Sequence, residues 1–289
     1  MTIKHLVISG GAYNGLYIFG TIKKLLKEKF FNIEDINSIY GTSVGSIIAA
    51  MLCLKQKWDI IFEYILNRPW EKDIFITPDM VFDSITKKGI MGKSFMSIIF
   101  DKLLKASNLS TSITLKEFYN YSKINLVVFA VDANTFDIVK ISHETHPQLE
   151  LIDALYMSST IPFVFQPLFV KDICYIDGGC RCHYPINYCI EDVVDTKEIL
   201  GIKICFEKNT SNITKTSNIF YFGFHLINKL ISNQQNKNIS IENEINIKCS
   251  LLNPSDALNC INNKSTREKY INEGEIFAEI FISNRIKDL

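Results

Sequence analysis

Ser43 stands in a G-x-S-x-G stretch, Gly41-Thr42-Ser43-Val44-Gly45, the first place where this sequence offers a nucleophile. Small residues on both sides of a serine permit a sharp turn from strand to helix, with the serine held in a strained backbone conformation. The hydroxyl then sits at a helix N-terminus, where free amides and the helix dipole favour developing negative charge. Alone, the motif is a weak signal, and a serine that merely caps a buried helix is the plainer reading. Its surroundings favour the elbow: residues 38–40 read as a short strand and residues 44–54 as an apolar helix.

Two further stretches can take part in such chemistry. Gly10-Gly11-Ala12-Tyr13-Asn14-Gly15 falls between a first strand, residues 4–9, and a helix, residues 16–29. A glycine-rich loop that opens a helix can cradle a phosphate, but this one is not G-x-G-x-x-G and lacks an acidic partner at the ribose-binding spacing. Beside the strand that carries Ser43, it can instead lend backbone amides to an oxyanion, where losing one donor costs about 10²–10³ in turnover. Asp177-Gly178-Gly179 follows a hairpin at residues 169–176. Taken alone it is an ordinary Asp-Gly turn.

The three stretches together, in this order, resemble the patatin-like phospholipase family. The small-residue segment of residues 154–162 and Pro185 after Asp177-Gly178-Gly179 are similar to it as well. The likeness covers the first two-thirds of the chain. It implies an α/β fold of three layers, a mainly parallel central sheet sandwiched by helices. It also implies a lipid acyl hydrolase of the phospholipase A type acting on a phospholipid or another acyl-ester lipid, with no cofactor and no metal. Ser43 would be the nucleophile and Asp177 its sole partner, without a histidine between them. The amides of Gly10, Gly11, Ala12 and Val44 would bind the oxyanion, with Asn14, Gly15, Gly41, Gly45, Gly178 and Gly179 shaping the motifs. Two positions depart from the family: Asn14 replaces the usual Arg or Lys, and His183 stands where Asn is frequent. Arg181 and His183 are the candidates to restore positive charge near the oxyanion.

Elements must hold these stretches together. Strands alternate with helices from the start, which favours a mainly parallel sheet covered on both faces. Residues 125–132 and 200–206 read as buried strands, residues 138–142 as a further strand, and residues 151–159 as a helix ended before Pro162. Residues 58–112 read as helical and aromatic-rich, broken at Pro69 and Pro78. Thr114 and Glu117 form a capping-box pattern, as do Ser265 and Glu268 ahead of a helix at residues 265–282. Residues 218–235 read as another helix. Residues 209–217 and 234–246 read as polar surface loops. The helical spacing of residues 95–100 and 219–224 favours core packing over contact with lipid. A single domain over residues 1–289 is expected.

Composition removes several classes of function. Lys plus Arg and Asp plus Glu both number 31, so no broad charge favours nucleic acid. No signal peptide and no run near the ~20 apolar residues of a membrane span is visible, which implies a cytoplasmic protein whose membrane contact would be peripheral. The eight cysteines suit reduced, mostly buried thiols, and Cys180-x-Cys182-His183 lacks the spacing of a zinc knuckle. His5 reads as structural, His225 as packed, His143 and His146 as exposed. Three alternatives remain open at this point: a Ser-Asp-His triad hydrolase, a lipid-binding or scaffold protein with a decayed site, and an acyltransferase. Ser43 follows only two strands, which argues against the first, and Asn14 is the feature that supports the second.

Overall fold

A computed structural model describes residues 2–207, 213–217, 219–233 and 239–287. In chain order, β1 (His5–Ile8) leads through the glycine loop into α1 (Gly15–Lys27), and β2 (Ser38–Thr42) runs straight into α2 (Val44–Cys53). A helical excursion follows: α3 (Trp58–Asn67), α4 (Pro78–Lys87), a short β3 (Gly89–Met91), α5 (Ser94–Ala106) and α6 (Leu115–Ser122). The chain then returns through β4 (Asn125–Asp132), β5 (Ile138–Ile141), α7 (Leu151–Ser159), β6 (Phe163–Phe165), β7 (Leu168–Val170) and β8 (Ile173–Asp177). Last come α8 (Ile186–Asp192), β9 (Ile199–Phe206), α9 (Ile219–Ser232), β10 (Glu244–Cys249), α10 (Pro254–Asn262) and α11 (Lys264–Lys287).

The main sheet runs β10-β9-β1-β2-β4, all parallel. Strands β5, β8 and β7 close it with antiparallel pairings. Parallel strands are buried on both faces, so they read as apolar runs, and their alternate residues serve two cores. In β4, Leu126, Val128 and Ala130 enter a large core with α1, α2, α5 and α7. Val127 and Phe129 turn to a smaller core covered by α8. The three layers are therefore unequal, with most helices on one face.

β4 positions the site. Val128 pairs with both Gly41 of β2 and Ile141 of β5, so these two strands lie on opposite edges. Ala130 pairs with both Val139 of β5 and Asp177 of β8, which puts β8 on the edge that β2 occupies. β2 ends at Thr42 opposite Phe129, and β8 ends at Asp177 opposite Ala130. Two strands running in opposite directions thus stop at adjacent rungs of one edge.

Several local expectations hold. The capping box at Thr114 and Glu117 is formed. The hairpin turns on Lys171 and Asp172, both at positive φ, the backbone of a tight two-residue loop. Others need correction. Residues 244–246 belong to β10, whose alternation of buried Ile245, Ile247 and Cys249 with outward polar side chains is an edge-strand pattern. β3, which pairs with β6 in a separate two-stranded sheet, interrupts the region read as helical. α11 begins at Lys264, so Ser265 lies inside its first turn instead of capping it. His143 is buried, stacked on Tyr119 with ring centroids 3.7 Å apart. The helix read at residues 218–235 is α9; residues 218, 234 and 235, and residues 209–212 of the loop read at 209–217, lie outside the described residues.

The last helix crosses the first at contact distance. A Cβ on Gly274 would come within 2.0 Å of the Tyr17 carbonyl oxygen, and one on Gly20 within 1.9 Å of the Ile271 carbonyl oxygen. Thr21 Oγ1 donates to the Gly274 carbonyl at 2.9 Å in this dry crossing. Gly274→Leu should therefore destabilise the fold by about 3 kcal/mol, lowering Tm by roughly 5–10 °C in a thermal melt followed by circular dichroism.

Candidate active site

The turn between β2 and α2 holds Ser43 at φ 54° and ψ −127°, a conformation that L-residues rarely adopt. Close packing enforces it. A Cβ on Gly45 would lie 2.4 Å from the Ile8 carbonyl oxygen, so only glycine lets α2 start against β1. The Ser43 amide donates to Ser158 Oγ at 2.9 Å, and Ser158 Oγ donates to the Phe129 carbonyl at 2.7 Å. Ser158 thereby ties the elbow to the rung of β4 where β2 stops. Sequence reading passed over this residue; its signal was the run of small side chains at the end of α7.

Ser43 Oγ donates to Asp177 Oδ2 at 2.6 Å, and both residues are buried. Asp177 Oδ1 accepts from the Gly179 amide at 2.6 Å, while Gly178 packs against the Phe129 carbonyl where a Cβ would not fit. Burial pushes the Asp177 carboxyl up to about 7, because ionisation in a dry site is costly. The bonds from Ser43 and Gly179 oppose that rise without cancelling it. The result is a carboxylate whose proton affinity suits a general base at neutral pH.

Gly11 and Ala12 both have positive φ, and they line the same small space as Ser43. Among the described residues, the amides of Gly11, Ala12 and Val44 donate no hydrogen bond, which leaves them open to an oxyanion. Gly10 is the exception: its amide donates to the His183 carbonyl at 2.8 Å. It is removed from the expected donors and acts as a spacer between Ser43 and the His183 ring. Gly15 abuts Val44, which lets the starts of α1 and α2 approach, and Gly41 abuts Gly45 and Ser46, which lets β2 approach α2.

Neither candidate for positive charge supplies it. Arg181 points outward to the Phe136 carbonyl and to Asp137. His183 is buried, and burial lowers its imidazole to about 4, so it is neutral at pH 7. Asn14 is buried too, and its side-chain amide donates to the Ser250 carbonyl at 3.4 Å. At this position the side chain holds the loop to the segment after β10.

Ser43 and Val44 line an apolar cavity of about 290 Å³, whose walls include Leu16, Phe19, Met51 and Trp70. Arg267 also reaches that wall, with its guanidinium donating to the carbonyls of Leu66, Arg68, Cys260 and Ile261. It thus caps the C-terminal ends of α3 and α10 at once. Around the Ser43–Asp177 pair itself the free space is about 20 Å³. A wider, more polar crevice of about 660 Å³ shares Cys180 and His183 with that space.

A family model described as patatin-like phospholipase matches residues 6–190. The chain belongs to the patatin-like phospholipase family. A relative from Invertebrate iridescent virus 6, named as a probable lipid hydrolase, is 28% identical over 190 residues, which is 65% of this chain and 63% of that protein. An uncharacterized protein of Acanthamoeba polyphaga mimivirus is 25% identical over 213 residues, 73% of this chain and 67% of its own. This patatin-like chain therefore aligns with only about two-thirds of the length of these relatives. The crystal structure of VipD from Legionella pneumophila shares the fold, with a TM-score of 0.56 at 16% identity over 98% of this chain and 67% of that one.

The raised Asp177 carboxyl has a pH signature. Its folded value lies above its ordinary 3.8, so folding favours the protonated form. The stabilisation is full below about 3.8 and is lost as pH rises to about 7. Wild type should lose up to roughly 4 kcal/mol relative to Asp177→Asn across that window, measured by paired denaturant titrations at pH 4 and pH 8.

Proposed function

We propose that this chain is a lipid acyl hydrolase of the phospholipase A type that works through a Ser43–Asp177 dyad. The 2.6 Å bond between the serine hydroxyl and a dry carboxylate carries this reading. Ser43 Oγ attacks the ester carbonyl as its proton passes to Asp177 Oδ2. The oxyanion is held by the amides of Gly11, Ala12 and Val44 at the start of α2. Collapse of the tetrahedral intermediate expels the alcohol, which takes the proton from Asp177 and leaves an acyl-enzyme. Water then gives its proton to Asp177 and attacks the acyl carbon. Ser43 recovers the proton as it leaves, and the fatty acid departs.

The apolar cavity that Ser43 lines suits the acyl chain of such an ester. The open donors and the intact pair support catalysis over a lipid-binding protein with a decayed site, even though Asn14 carries no charge. His183 packs on Gly10 and carries no role in the dyad, which weighs against a triad.

Wild-type protein incubated with mixed phospholipid vesicles should release fatty acid, and a fluorophosphonate probe should label it at Ser43. Ser43→Ala and Asp177→Asn should each lower release by about 10³-fold or more while remaining folded. A folded wild type that neither labels nor releases fatty acid would sink the proposal. Ala257 lines the apolar cavity and is small. Ala257→Phe should reduce kcat/KM for long-chain esters about tenfold or more while sparing short-chain esters, read from a series of acyl lengths.

A further inference from the structure

α9 is apolar on two faces, and only one of them is used by the fold. On the inner face, Ile227 and Ile231 are buried and wall the space around Ser43 and Asp177. Phe224 lines the apolar cavity. Asn228 Nδ2 donates to the Leu252 carbonyl at 3.0 Å and holds the helix down. α9 therefore roofs the dyad.

The outer face is the unusual one. Ile219, Phe222 and Leu226 follow the i, i+3, i+7 spacing of a single stripe, and they are 70%, 41% and 43% exposed. A surface helix of a globular domain ordinarily turns charged residues outward there. α9 contains no acidic residue, and Lys229, at the flank of the stripe, is exposed. The exposure continues past the helix. Gly223 packs on the ring of Phe163, which is 51% exposed. Near β3, Lys88 Nζ sits 5.9 Å above the exposed ring of Phe169. Apolar side chains flanked by lysines are the signature of a helix that lies in a lipid interface.

We propose that the outer stripe of α9 seats this chain on a lipid surface, which places the roof of the dyad at the bilayer. The choice of occupant rests on the lipid-hydrolase reading and on continuity. The inner face of the same helix lines the apolar cavity and walls the space around Ser43 and Asp177, so a bilayer on the outer face lies one helix away from the site that takes the lipid.

The test separates binding from hydrolysis by using Ser43→Ala protein. It should co-sediment with phosphatidylcholine vesicles, and more strongly once phosphatidylglycerol is included, because Lys229 and Lys88 favour anionic lipid. Adding Phe222→Gln and Leu226→Gln should lower the partition coefficient about fivefold or more. The same pair in the otherwise wild-type chain should leave hydrolysis of a monomeric short-chain ester within about twofold, because neither residue lines the cavity. An unchanged circular dichroism melt confirms that the pair leaves the fold intact. The inference is overturned if Ser43→Ala protein stays in the supernatant with both vesicle compositions, or if the pair leaves partitioning unchanged. It is also overturned if light scattering without lipid finds a dimer that the pair splits, since the stripe is then a self-association face. Vesicle binding that depends on the stripe in a protein with no hydrolysis on any ester would retain this inference and remove the function proposed above.

Discussion

One edge of β4 serves two strands, and the site depends on that arrangement. β2 arrives parallel and stops at Phe129; β8 arrives antiparallel and stops at Ala130. Each strand end then places its next functional atom in the same small gap. Ser43 comes from a turn into a helix, and Asp177 from a turn into a single 3-10 turn at Gly178–Cys180. The Phe129 carbonyl lies where the two ends meet. It accepts from Ser158 Oγ and is overlaid by Gly178, which leaves no room there for a side chain. Displacing either strand by one residue would turn its end to the opposite face of the sheet and separate the pair.

That gap is dry, and dryness acts in two directions. It raises the proton affinity of Asp177 toward neutrality, because the charged form loses its hydration. It also makes the ionised carboxylate unfavourable in the folded chain. Two donors, the Ser43 hydroxyl and the Gly179 amide, offset part of that cost. Strain adds to it through positive φ at Ser43 and Ala12. The surrounding packing holds these conformations in place, above all the close approach of α2 to β1 at Gly45.

Much of this was legible in the residues. The order of glycine loop, serine elbow and Asp-Gly-Gly placed Ser43 and Asp177 correctly on their elements, because each motif encodes a local turn. Short apolar runs and helical spacing located β1, β2, β4, β9 and most helices for the same reason. Pairings between distant segments were not legible. Nothing local announces that residues 173–177 join β4 beside β2, or that the Gly10 amide faces the His183 carbonyl. β10 was missed although its alternation was visible, because its polar residues and neighbours resemble a loop. Asn14, Arg181 and His183 illustrate a different limit. Residue type alone suggested charge near the oxyanion from Arg181 or His183 and a hydrogen-bond donor at Asn14, but burial neutralises His183, Asp137 draws Arg181 outward, and Ser250 takes the Asn14 amide. The outward stripe of α9 was equally hidden, since spacing reveals that a helix has an apolar face but not whether another element covers it.

β1 lies between β2 and β9, so the strand that leads into the glycine loop has one edge open until residues 199–206 arrive. The same loop is held by Asn14 to the Ser250 carbonyl, still later in the chain. On a ribosome, then, Ser43 and Asp177 can both have emerged while the loop beside them lacks its anchor. Long-range pairings of this kind form slowly and only once both segments exist. Assembly of the complete gap is thereby tied to synthesis of the segments that carry β9 and Ser250, long after both motif residues have emerged.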